Sequence, residues 1–572
     1  MIKGLPVSKG YAIAPVFKLQ KLEIDTQKRM VLDPEFEINH YHQAIQTTKQ
    51  EIISLKQQSV ERFGEETSKI FDAHLMIADD PEIIASVEAM IKSERCNLAY
   101  AMDTVVKRFL SLFKDLDNPY LRERALDLKD VTDRLLRHAM GIHGHDLSSI
   151  DQPIILVGDD ITPSETAQLD PSMVMGFITE QGGLTSHTAI IARLLQIPAV
   201  CGAKDIIKRV KHGDEIILDG FTGRIILHFD EPTKQSYLQK RDDYHQQLEQ
   251  LHDYIGHASK TKDGYITKLY ANIGSPKDLE SVFYHDSEGI GLFRTELLYM
   301  DRHQLPTEDE QFESYRVVLE SMQGKEVTIR TLDIGGDKYL SYLKLNHELN
   351  PFLGQRAVRL TLAYPELFKT QLRALLRASV YGNLSIMIPM ISTKEEITLI
   401  KKMLKDVKDG LEKDHIPYGN YRLGIMIEVP SAVMIADILA KEVDFFSIGT
   451  NDLIQYTFAA DRTNEALSAF YQPLHPAILR MINQVVQAAH QQKIKLSVCG
   501  EMAGHLLQGP LLLGLGVDVL SMTPTEILKM RRVLAQISME DMKKVAQTVI
   551  KYESEDQVLR EIKKWIPHEG GQ

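Results

Sequence analysis

The segment Phe445-Phe-Ser-Ile448-Gly-Thr-Asn451-Asp452 decides how the carboxy-terminal half of the chain reads. Four uncharged residues suited to a strand run into a glycine, and an amide and a carboxylate follow at once. Such a short apolar run fits a buried strand, with the polar pair at its carboxyl end. The pattern recurs on both sides: Ile266–Ile273, Gly289–Phe293, Val327–Leu332, Leu384–Met390, Leu423–Ile427, Lys495–Val498 and Val517–Leu520. Helical stretches separate most of these runs. Strands alternating with helices predict a (β/α)8 TIM barrel over residues 257–572. In a barrel the carboxyl ends of the strands share the face that carries active sites. Arg294, Arg330, Glu428, Asn451, Asp452 and Cys499 are thereby gathered into one candidate site.

Upstream the texture differs. Residues 1–20 read as short strands broken by Gly4 and Gly10. Over 34–142 apolar residues recur at helical spacing, as in Ile38, Tyr41, Ile45, Ile52 and Leu55, which predicts a helical bundle. Strand-like runs return at Ile154–Val157, Met173–Ile178 and Glu215–Leu218, with a helix from Thr188 to about Gln196. The simplest topology makes 1–20 and 144–228 one α/β unit into which the bundle is inserted. Residues 231–256 carry Tyr237, Tyr244, Leu248, Leu251 and Ile255 at steps of three, four or seven, which predicts one amphipathic linker helix.

The 572 residues are 44% hydrophobic and 25% charged, ample for several cores. A net charge of −13 argues against a nucleic-acid backbone as the main partner and suits a basic protein partner. The three cysteines, Cys96, Cys201 and Cys499, have no paired spacing, so a reducing, cytoplasmic setting is expected. No apolar run is long enough to span a bilayer, and Met1 to Val16 lacks a signal-peptide core.

The loop Gln181-Gly-Gly-Leu-Thr-Ser-His187-Thr-Ala-Ile-Ile-Ala-Arg193 follows a strand and opens a helix. Two glycines permit a tight turn, Thr185 and Ser186 suit capping, and free N–H groups at a helix start favour an anion. A histidine placed there is suited to carrying phosphate on its imidazole; packing or capping is the plainer reading. At the barrel face, Arg294 and Arg330 can grip a phosphate through paired N–H donors, and Arg462 follows Asp452 on the next loop. Glu428 and Asp452 suit Mg2+ held by carboxylates and substrate oxygens, or salt bridges to nearby arginines. Asn451 suits hydrogen bonding to substrate oxygens, or a turn. Gly289-Ile-Gly291 and Gly514-Leu-Gly516 lack the third glycine of a dinucleotide fingerprint.

The histidine loop resembles that of the phosphoenolpyruvate-utilising enzyme family, and within it the enzyme I branch of bacterial sugar phosphotransferase systems. Other segments carry the likeness: Leu121-Arg-Glu-Arg-Ala125, Ile161-Thr-Pro-Ser-Glu-Thr166, Gly289-Ile-Gly-Leu-Phe-Arg-Thr-Glu296, Asp333-Ile-Gly-Gly-Asp-Lys338, Asn350-Pro-Phe-Leu-Gly354, Ile448-Gly-Thr-Asn-Asp452 and Cys499-Gly-Glu-Met-Ala503. Leu184, Gln355 and Lys9 depart from the usual pattern without removing a group the chemistry needs. The resemblance implies that a swivelling domain carries His187 to the barrel, where it takes phosphate from phosphoenolpyruvate with Mg2+. It implies substrate contacts from Arg294, Arg330, Asn451, Asp452 and Arg462, and Cys499 as the acid that protonates the enolate. The implied acceptor is the carrier protein HPr, docking on the helical insertion, where Glu65, Glu66, Asp72, Leu75 and Met76 set acids beside apolar residues. Homodimers through the barrel are also implied. Lys338 and Thr166 stand outside this catalytic set. Rival readings are a pyruvate phosphate dikinase or phosphoenolpyruvate synthase type of enzyme, which needs a nucleotide-binding domain, and a non-catalytic sensing paralogue.

Overall fold

A computed structural model describes residues 2–19, 25–63, 68, 70–114, 119–142, 147, 150–183, 186–300, 302, 304–335, 340, 342, 348–462 and 464–566. Glu65, Glu66, Leu184, Thr185 and Lys338 lie outside the described residues. The chain divides into two compact units, Met1–Gln247 and Leu248–Gln572.

The amino-terminal unit is built on an eight-stranded sheet: β1 (Ile2–Lys3), β2 (Leu5–Ser8), β3 (Tyr11–Lys18), β4 (Ile154–Gly158), β5 (Val174–Thr179), β6 (Ala199–Cys201), β7 (Glu215–Asp219) and β8 (Arg224–Ile226). Its order is β1-β8-β7-β3-β4-β5-β6-β2. β3 to β6 run parallel, and β7 pairs antiparallel with β3. β4 is buried along its whole length, as a central parallel strand must be. The chain leaves this sheet after β3 and returns at β4, and the helices between are Pro34–Phe63, Ile70–Ala78, Pro81–Glu94, Leu98–Lys114 and Pro119–Met140. Their own core includes Tyr41, Ile52, Val87, Ile91, Met102 and Val131, so the bundle is an insertion with a separate apolar centre. Asp80 starts one of these helices by accepting the Glu82 and Ile83 N–H groups, ahead of Pro81 at the first turn.

The helix predicted over 231–256 is observed as Glu231–His252. Ile255 therefore falls beyond its end, where Gly256 takes a φ of 77° and donates its N–H to Asp286 Oδ2 at 2.7 Å. Nor is the first part of this helix a bare spacer. Tyr237 packs edge-on to Tyr11 and Tyr244 edge-on to Phe221, which ties it to the sheet.

The carboxy-terminal unit is a closed barrel of eight parallel strands: β9 (Lys268–Ile273), β10 (Ile290–Arg294), β11 (Glu326–Arg330), β12 (Asn383–Ile388), β13 (Tyr421–Ile427), β14 (Phe445–Ile448), β15 (Lys495–Val498) and β16 (Val519–Met522). β16 pairs with β9 to close it. The (β/α)8 class read from the sequence is the class observed. Strand ends differ by a few residues, because hydrogen-bond register rather than hydrophobicity fixes where pairing stops. Arg330 is the last residue of β11; the Thr331 N–H still reaches Met387 O at 2.9 Å, whereas Leu332 donates to Gln371 Oε1 at 3.0 Å. No described helix is long and apolar enough to cross a membrane.

Candidate active site

Barrel register sets the site. Arg294 and Arg330 are Cα partners at the last rung of β10 and β11, so two cations emerge side by side. Glu428 follows β13 directly, and Pro430 opens a helix two residues later, so the carboxylate is held at the strand end. β14 ends at Ile448, and the helix Thr450–Phe458 presents Asn451 and Asp452 in its first turn. Cys499 follows β15, its N–H bonded to Ile448 O at 3.1 Å.

A buried charge network runs between these ends. Arg330 pairs with Glu296 and, at 2.8 Å, with Asp333. Arg356 bridges Asp333 and Asp452, each at 3.0 Å, and its Nη1 also donates to Tyr456 Oη at 3.1 Å. Burial opposes the charge on both arginines, but the adjoining carboxylates outweigh it and hold both guanidinium pKa values above their ordinary range. The salt-bridge alternative for Asp452 is thus realised, through Arg356, a residue not assigned from the sequence.

Glu428 is different. It is fully buried, and its Oε1 accepts the Met390 N–H at 2.7 Å. Its Oε2 has no hydrogen-bond partner among the described residues. Burial first, then the Asp452 and Asp333 charges, push its pKa up to about 8 against the pull of Arg330 and Arg356. A Cβ at Gly449 would come within 2.6 Å of this same Oε2, so only a glycine lets the backbone pass this close to it. A buried carboxylate oxygen with no partner among the described residues and a second carboxylate within electrostatic reach form a donor pair that fits a hard divalent cation.

Arg294 reaches solvent at the strand end, yet the desolvation around it and then the Arg330 charge lower its pKa. The nearby Arg462 adds to that repulsion and is itself exposed. Two guanidinium groups that raise each other's energy are relieved by an anion. Asn451 is held by Glu501, donating to Oε1 at 2.9 Å and accepting its N–H at 3.0 Å. Cys499 is buried, packed with Leu292, Met387, Met426 and Phe445, and burial pushes its thiol up in pKa, so it remains protonated. The arginines, carboxylates, amide and thiol proposed from the sequence within the barrel are all at one end of it.

His187 belongs to the other unit. It begins the helix His187–Leu194, whose N-cap Ser186 accepts the Ala189 N–H at 3.3 Å. Gly182, with a φ of 93°, supplies the turn that leads there. Thr166 is engaged with its own helix, donating to Pro163 O at 2.8 Å.

Three family models match in sequence order: "PEP-utilising enzyme, N-terminal" over residues 3–124, "PEP-utilising enzyme, mobile domain" over 150–223, and "PEP-utilising enzyme, PEP-binding domain" over 248–539. The chain belongs to the PEP-utilising enzyme family. Similar relatives include proteins named phosphoenolpyruvate-protein phosphotransferase from Bacillus sp. (strain S), 46% identical over 564 residues and 98% of each chain, and from Staphylococcus carnosus (strain TM300), 45% identical over 559 residues and 98% of each chain. A Staphylococcus aureus relative of the same name is 46% identical over 568 residues and 99% of each chain. The family's PEP-binding segment contains the whole barrel network, and its mobile segment contains His187.

Reading along the chain missed Glu296, Asp333 and Arg356. The first two stand inside quoted motifs, and Arg356 lies just after Asn350-Pro-Phe-Leu-Gly354. Their charge in otherwise apolar or glycine-rich surroundings was the available signal.

Proposed function

We propose that this chain acts as a phosphoenolpyruvate-protein phosphotransferase that carries phosphate on His187. The observation that carries the reading is end-to-end similarity, 46% identity over 98% of the chain, to relatives of that name. The barrel supplies chemistry that suits it. Arg294, Arg330 and Arg462 bind the phosphate and carboxylate of phosphoenolpyruvate, with Asn451 donating to an oxygen. Glu428 and Asp452 would hold Mg2+, which when bound neutralises phosphoryl charge. The P–O bond to the enol oxygen breaks as an imidazole nitrogen of His187 bonds to phosphorus. The enolate CH2 then takes the Cys499 thiol proton, and pyruvate leaves. Arg330 and Arg294 lie close enough to the resulting thiolate to stabilise it.

The acceptor in this reading is the carrier HPr. The helix Ile70–Ala78 supports it in part: Met76 is exposed, and Asp72 is half-exposed and paired with Lys56 at 2.5 Å, whereas Leu75 packs against the bundle core. Acid beside an exposed apolar residue suits a basic, apolar-centred partner. The same reading has two copies pairing through the barrel, and places the enzyme in the cytoplasm, in keeping with three free cysteines.

Labelled phosphoenolpyruvate with Mg2+ tests the proposal. An acid-labile, base-stable phosphate should appear on the chain, pass to HPr, and be abolished by His187→Ala. Label that survives this substitution moves the carrier elsewhere.

A further inference from the structure

The carboxyl end of β4 in the amino-terminal unit leads into two consecutive acids, Asp159 and Asp160, beside the loop that leads to His187. Asp159 accepts the Gln181 N–H on its carbonyl and Gln181 Nε2 on its carboxylate, each at 2.9 Å. Asp160 Oδ1 accepts the Ile161 N–H at 2.9 Å and the Thr188 hydroxyl at 3.3 Å. Thr188 is buried and is the chain neighbour of His187, so the two Cα atoms are about 3.8 Å apart. The Asp160 charge is felt at Cys201 as well. It adds to the burial that raises the Cys201 thiol, whose Sγ lies 3.7 Å from Ser186 Oγ.

A carboxylate so placed has a consequence for a phosphate carrier. A phosphoryl group on the imidazole brings about two negative charges. A helix start lowers the energy of that group; a nearby carboxylate raises it. We propose that Asp160 is a positioning residue for the phosphoryl carrier. Through Thr188 it holds the first turn after His187, and by its charge it keeps the phosphorylated form high in energy, so that phosphate passes onward instead of resting on the enzyme. The inference rests on His187 being the phosphorylated residue. It changes no bond in the reaction, only the energy of the N–P species relative to the free imidazole.

The plainer role of Asp160 is a local turn, since its own carboxylate accepts the Ile161 N–H ahead of the helix Pro163–Gln168. Two substitutions in the full chain separate the roles. Asp160→Asn keeps an acceptor oxygen of the same shape and removes the charge. Thr188→Val removes the donor and keeps the charge. Each protein is equilibrated with Mg2+ and a fixed phosphoenolpyruvate-to-pyruvate ratio. The phosphorylated fraction, the hydrolysis rate of the phosphorylated form and the equilibrium with HPr are measured. Asp160→Asn should raise the equilibrium constant for self-phosphorylation by about three- to ten-fold and lower that for transfer to HPr by the same factor. Thr188→Val should slow transfer in both directions and leave the equilibria unchanged. An Asp160→Asn protein that keeps wild-type equilibria overturns the inference, as does one that shifts them towards the unphosphorylated form. Failure of the underlying reading looks different: wild-type chain would take no label, or His187→Ala would keep it.

Discussion

Glu428 offers the most direct test of the barrel site. At neutral pH its carboxyl, pushed up to about 8, holds a proton in the metal-free protein, and a cation must displace it. At pH 7 a carboxyl raised that far is mostly protonated, so binding one Mg2+ should release most of a proton. Affinity should rise by about tenfold per pH unit from pH 6 to near pH 8 and then level off. Titration calorimetry in two buffers of different ionisation enthalpy reads affinity and proton count together. Glu428→Gln should lose the proton release and most of the binding. The sign for stability runs the opposite way. The folded metal-free chain keeps a proton that the unfolded chain, with the group at 4.5, has lost. Between pH 4.5 and about 8 stability therefore falls as pH rises, by up to roughly 1.4 kcal/mol per unit from this group, and added Mg2+ should offset the fall. A pH-independent affinity with no proton release would refute the reasoning, because it would mean that Glu428 is already ionised or is not a ligand.

Two further outcomes follow from the same network. Arg356→Lys should raise KM for phosphoenolpyruvate by roughly ten- to a hundred-fold, with a smaller change in kcat, because an ammonium cannot bridge Asp333 and Asp452 as the guanidinium does; steady-state kinetics would show it. Cys499→Ser should lower the rate of pyruvate release by roughly a hundredfold or more. With the native thiol pKa raised by burial, the wild-type proton-donating step should stay level as pH rises past 8, and rapid-quench pyruvate measurement across pH checks both.

Both sequence and structure bear on which residues meet. The alternation of apolar runs with helices was legible in the chain because a parallel strand buried on both faces must be apolar throughout. That also made the polar residue after each run conspicuous, and Arg294, Glu428, Asp452 and Cys499 do follow or end strands of one barrel. The histidine loop was legible for a local reason: its glycines and capping residues act within a few positions of one another. The reach of the linker helix was not. Apolar spacing continues to Ile255, but the helix ends at His252, and Arg531 from far along the chain takes the Tyr254 carbonyl at 2.7 Å.

What the sequence by itself determined is the set of elements and the chemistry that each strand end carries. Only the tertiary structure decided which charges neutralise which. Arg356 meets Asp452 across 96 positions and Asp333 across 23, and among the described residues Glu428 Oε2 is left without a hydrogen-bond partner. The physical reason is that periodicity reports burial along one element, whereas a Coulomb interaction depends on distances between elements, set when the barrel closes.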